Sequence, residues 1–234
     1  MKAPLTQQDM MQLLDKLYEQ SIDGLAKVSP PINVLATDYL QKHKDTESAA
    51  KSFIRYQIAK CTTTGFVSNL GGFITLPFAV PANIGTVLYV QMRMIACLAY
   101  MGGYDTDSDQ VQTLIYACLA GISIDQILKK AGVEIGNKLA GVMVRKIPTA
   151  ALNKINKKVG FSLISKSSTK SVIKLANAAP VVGGFIGGGF DFAETKIIAD
   201  RAYKMFIQGN LDVLSGEEDD ESPEIIEVDE FAEV

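Results

Sequence analysis

The chain reads as an all-α protein: a single multi-helix domain, residues 5–212, followed by a disordered acidic tail, residues 213–234. Three observations predict this. Apolar residues recur at helical rather than strand spacing along most of the 234 positions. Capping residues and glycines punctuate them at helix-length intervals. Charge is sharply divided: residues 217–234 hold ten acids and no base, while the other 216 hold 23 bases and 16 acids, a net of +7. A segment that acidic buries too little apolar surface to fold alone.

Apolar residues make up 47% of the chain, enough to fill one large core. Cys61, Cys97 and Cys118 fall in apolar helical patterns with no CxxC spacing, so three buried reduced thiols are expected. Near the start only Lys2 is basic and an amphipathic pattern follows at once. A secretory signal is therefore not expected, and a cytoplasmic side is.

The elements follow in order. Thr6 and Asp9 have capping-box spacing, and Met10, Leu13, Leu14, Leu17, Tyr18 and Ile22 share one face of a helix that Gly24 stops. Pro30-Pro31 breaks the chain, and Asn33 can cap a short helix through Leu40. His43, the only histidine, lies in a charged link and is expected at the surface. Asp45 or Thr46 starts a longer helix through about Val67, which Gly71 and Gly72 interrupt. The apolar run Phe73 to Val80 contains Pro77 and suits a buried turn or broken helix. After Pro81, Ala82 to Met101 is an apolar helix ended by Gly102-Gly103. Asp105 to Ser108 offer caps for a helix over about Asp109–Leu119, stopped by Gly121. Ser123 and Gln126 predict a capped helix through about Val144. Pro148 opens the next, with Gly160 as its end and Ser162 to Ser171 as a loop. A helix resumes to about Ala178, and Gly183 to Phe206 reads as a last long helix capped by Gly209.

The organising stretch is Cys61 to Asp105, and a second apolar, glycine-rich stretch runs from Ala178 to Phe192. Together they predict a central apolar helix pair. Gly183/Gly187 and Gly184/Gly188 repeat the small-xxx-small spacing that lets helices approach closely, and Gly71 and Gly72 belong to the same packing set. A phosphate loop would need GxGxxG or GxxxxGK after a strand, and neither is present. Ala82 to Met101 is long enough to span a bilayer, but Gln91 and Arg93 sit near its middle. An arginine there costs roughly 2.5 to 3.5 kcal/mol on insertion scales, so a buried core helix is the favoured reading.

A buried guanidinium needs a partner. Asp191 and Glu194, about one turn apart, are the expected carboxylates for Arg93, as a structural ion pair or as a ligand site. No catalytic constellation is readable, neither a Ser-centred elbow nor HExxH, and one histidine with scattered cysteines makes no metal set. No cofactor is expected, and a non-enzymatic role is favoured. Lys129 to Lys174 contains eleven bases and one acid, Glu134. Within it Lys129, Lys130, Lys138, Arg145, Lys146, Lys154, Lys157 and Lys158 are the candidates for meeting an anionic membrane surface. Apart from Phe161 the stretch lacks aromatics, which disfavours nucleic acid. The expected partner is an anionic membrane surface or a membrane protein, with the acidic tail competing for the same lysines.

GGFITLPFAVP, then an apolar helix, then AYMGGYD resembles the EcsC protein family. Tyr100, Gly103 and Asp105 stand where that family carries a Tyr-Gly-x-Asp sequence, with Met101-Gly102 extra. The stretch from Ala179 to Phe192 is similar to the family's glycine-rich C-terminal signature, with Asp191-Phe192 where the family often has Asn and an aromatic. The resemblance covers roughly residues 44–203. It implies a mostly helical, bacterial-type domain associated peripherally with the membrane, and it carries no active site. The rival reading is an enzyme or a small-molecule or lipid binder with an apolar cavity at Arg93, Asp191 and Glu194.

Overall fold

The computed structural model describes residues 6–26, 28–62, 82–133, 141–167 and 195–210, and no strand occurs among them. The elements are α1 (Gln7–Asp23), α2 (Ile32–Lys42), α3 (Thr46–Thr62), α4 (Ala82–Met101), α5 (Asp109–Ala120), the short α6 (Asp125–Lys130) and α7 (Gly141–Val144), and α8 (Thr149–Ser167). Residues 195–202 are helical and continue into a π-helical turn, Tyr203–Ile207; together they form α9. The all-α expectation holds.

The apolar helix α4 is the axis. It packs against α1, α2, α3, α5 and α9. Residues 89–99 of α4 are all buried, and they include Gln91 and Arg93. Among the described residues no helix is long and apolar enough to cross a membrane. Helices α1 and α5 also pack on α8, so α8 lies one layer out from the axis, with α6 beside it. The expected partner of α4, the glycine-rich stretch from Ala178 to Phe192, lies outside the described residues, as do Gly71, Gly72, Gly183, Gly184, Gly187 and Gly188.

Local signals account for several helix ends. Thr6 and Asp9 form the full reciprocal box: the Asp9 amide donates to Thr6 Oγ1 and the Thr6 amide to Asp9 Oδ2. Two orphan donors of the first turn are satisfied this way, and the exchange holds the Asp9 carboxyl below its ordinary value. Gly24 stops α1 at φ +78°, and a Cβ there would stand 2.3 Å from the Ser29 carbonyl oxygen, so only glycine fits. Asp45 accepts the Ser48 amide at the start of α3, and Ser108 accepts the Val111 amide at the start of α5.

Three expectations are corrected. Helix α2 begins at Ile32 with Pro31 before it, while Asn33 accepts only the neighbouring Val34 amide and does not cap. The helix expected to run from Ser123 to Val144 stops at Lys130, because Gly132 turns into positive φ (+74°) directly after it. Gly160 does not end α8, which continues to Ser167. It is buried where α1 crosses, and a Cβ there would lie 2.9 Å from Gln7 Cγ. Gln7 Nε2 donates to the Lys157 carbonyl at this crossing. The missing side chain therefore admits a neighbouring helix rather than breaking its own.

Candidate functional site

Two basic regions carry the chemistry that the structure displays, one buried and one exposed. The buried one is built on Arg93, which is 7% exposed. Its Nη1 donates to the Ser21 carbonyl at 2.8 Å, and its Nη2 donates to the Pro30 carbonyl. Ser21 lies in the last turn of α1, whose final carbonyls have no helical partner. The Leu25 amide, which would continue the ladder onto Ser21, bonds instead to the Ser29 carbonyl and to Ser29 Oγ. Arg93 fills the place left open, and a cation there also meets the negative end of the helix dipole.

Tyr89, one turn earlier on α4, completes the junction through its hydroxyl, which hydrogen-bonds Ser29 at 2.9 Å and also contacts Arg93. Burial pulls the Arg93 guanidinium below its ordinary value, opposed by Tyr89 and Cys97; arginine still remains charged at any working pH. Among the described residues the hydrogen-bond acceptors of Arg93 are the backbone oxygens of Ser21 and Pro30. Asp191 and Glu194 lie outside the described residues. An open groove of about 460 Å³ is lined by Asp23, Leu25, Val28 and Pro30, among others.

The same device recurs. Arg201 Nη1 on α9 donates to the Cys118 carbonyl at 3.0 Å, in the last turn of α5. Each arginine sits by a buried thiol, Cys97 near Arg93 and Cys118 near Arg201. Burial pushes both thiols up to about 12 in spite of the cations, which leaves them protonated and unreactive. Both are free cysteines, as expected; the Cys61 side chain lies outside the description.

A third polar cluster had no signal as a motif. Gln112 Nε2 donates to the Tyr116 hydroxyl at 2.7 Å, which donates to Asp15 Oδ1 at 2.9 Å, while the Tyr18 hydroxyl donates to the Thr106 carbonyl. The Tyr18 and Tyr116 rings meet edge to face, and burial raises both phenols well above their ordinary value. The cluster ties α1 to α5 and satisfies every hydroxyl in it, which is a structural use. His43, expected at the surface, is half-buried: Nδ1 contacts the Tyr39 carbonyl at 2.8 Å and the ring stacks on Tyr39.

The exposed region is α8. Ala151, Leu152, Ile155, Val159 and Leu163 face the core. Ala150, Asn153, Lys154, Lys157, Lys158, Phe161 and Ser165 are exposed. At 100° per residue these seven occupy an arc of about 140° on one side of the helix. The helix contains no acid. Lys129, Lys130, Arg145 and Lys146 are exposed as well, and Lys138 lies outside the described residues. Two lysines have local partners: Lys158 Nζ donates to the Ser123 carbonyl at 2.7 Å, and Lys129 lies 3.7 Å from Asp125. Phe161 is 71% exposed, the most of any large hydrophobic residue described.

No group of His, Cys, Asp and Glu able to hold a metal occurs among the described residues. The chain matches no family model, no curated protein and no solved structure.

Proposed function

We propose that this chain is a non-enzymatic domain that associates peripherally with an anionic membrane surface, on the cytoplasmic side, through its basic helices. One observation carries the reading. The outer stripe of α8 presents Lys154, Lys157 and Lys158 together, with no acid on the helix. Each basic side chain near such a surface contributes about 1 kcal/mol, so three on one stripe, supported by Lys129, Lys130, Arg145 and Lys146, suffice for reversible attachment at low salt. Lysine supplies mobile point charges that suit a disordered array of headgroups. The resemblance to the EcsC protein family agrees with a helical domain of this kind and remains part of the proposal.

The acidic tail supplies the counterweight. Its ten carboxylates compete with lipid for the same lysines. Flotation with vesicles of mixed phosphatidylcholine and phosphatidylserine tests this. Deleting residues 217–234 strengthens attachment several-fold at low salt, and the gain shrinks as salt screens it over a Debye length of about 10 Å at 0.1 M. Equal attachment with and without the tail, or none in either form, defeats the mechanism.

The second reading is a small-molecule or lipid site around Arg93, Asp191 and Glu194. In its favour is the open groove beside Pro30, whose carbonyl Arg93 holds.

A further inference from the structure

We infer that Phe161 is the apolar anchor by which α8 seats on an anionic bilayer, its ring entering the interface while the flanking lysines meet the headgroups. The inference rests on the lipid reading above and adds to it the residue and the depth of contact. Phe161 is 71% exposed although its helix has a full apolar face turned to the core. On the helical wheel it falls inside the lysine arc, about 60° or less from each of Lys154, Lys157 and Lys158. It stands about 10 Å along the helix from Lys154. An aromatic ring centred among lysines is the composition of an interfacial contact, where the ring sits at headgroup level and the long lysine stems reach back to charge. The core-facing residues of α8 are already packed, so this contact is shallow, one ring deep.

Other occupants fit less well. A second copy would bring another acid-free lysine stripe against this one, and like charges oppose it. Nucleic acid is best held by arginine forks and stacking platforms, whereas the cations of α8 are all lysines and its one exposed aromatic stands alone.

The chain contains no tryptophan, so Phe161→Trp places a single reporter at the contact. The full chain carrying it is titrated with phosphatidylcholine vesicles, with and without about 30 mol % phosphatidylserine. The expected result is a blue-shifted emission and protection from acrylamide with the anionic vesicles only. In parallel, Phe161→Ser weakens flotation of the otherwise unchanged chain by about tenfold. Unshifted emission on vesicles that do carry the protein, together with undiminished flotation of Phe161→Ser, overturns the anchor and leaves the lysine reading standing. A shift with a single-stranded oligonucleotide but not with vesicles overturns it in favour of nucleic acid. A lipid-free shift that grows with protein concentration overturns it in favour of a second copy. Absence of flotation by the unsubstituted chain removes the anchor and the lipid reading together.

Discussion

Arg93 and Arg201 on one side, and Lys154 and Lys157 of α8 on the other, carry the same charge and are used in opposite ways. The arginines turn inward and spend their N–H groups on the last-turn carbonyls of α1 and α5. The lysines stand outward on a stripe with no acid on its own helix. A planar guanidinium can satisfy two backbone oxygens at once, which an ammonium on a flexible stem does poorly. Side-chain chemistry therefore divides the positive charge of these residues between holding the fold and standing on the surface.

The comparison breaks most directly at Arg93. Arg93→Met leaves the Ser21 and Pro30 carbonyls without their donor, with an expected loss of about 2–4 kcal/mol in urea unfolding. Arg93→Lys recovers part of it. Arg201→Met, with one carbonyl and a half-exposed side chain, costs less. A loss below about 1 kcal/mol for Arg93→Met would mean that the junction is satisfied without the guanidinium.

Acidity sharpens the buried side. Cys97 and Cys118 are raised from 9.0 to about 12. Above pH 9 the unfolded chain releases thiol protons that the folded chain keeps. The unfolded state then binds fewer protons, so stability falls as pH rises from about 9 towards 12, by about 1.4 kcal/mol per pH unit for each thiol. Urea unfolding at intervals from pH 8 upward reads this slope, and Cys97→Ala with Cys118→Ala flattens its first part. A slope unchanged by the double substitution assigns the loss to the phenols, of which Tyr39, Tyr104 and Tyr203 are also pushed up to about 12.

The smallest expected change in stability lies on the exposed side. Lys154→Gln together with Lys157→Gln alters unfolding by no more than about 0.5 kcal/mol. The same pair lowers attachment to phosphatidylserine vesicles by about tenfold or more. A large fall in stability would move these lysines into the first group.

Much of the fold was legible because its signals are local. The Thr6–Asp9 box, the Ser108 cap, and the stops at Gly24 and Gly121 involve residues within a turn or two of each other, and each does what its spacing predicts. What was not legible depends on distant chain. Gly160 looks like a stop until Gln7 is known to cross it. Arg93 points in sequence to a carboxylate, since only side chains announce their charge; the carbonyls of Ser21 and Pro30 belong to the backbone and have no letter of their own. The basic stripe was readable as composition. Phe161 is visible in sequence only as its lone aromatic, because Gly160 reads as the end of the helix that puts it among the lysines.

The clasp of Arg93 on Ser21 spans 72 positions. During synthesis α1 leaves the ribosome long before α4 does. Its amino end can close at once, since Thr6 and Asp9 need nothing further along the chain. Its carboxyl end keeps hydrated carbonyls until the arginine arrives and packs. Helix α1, made before α4, is thus finished only once α4 arrives, and a chain released before residue 93 lacks the group that completes it.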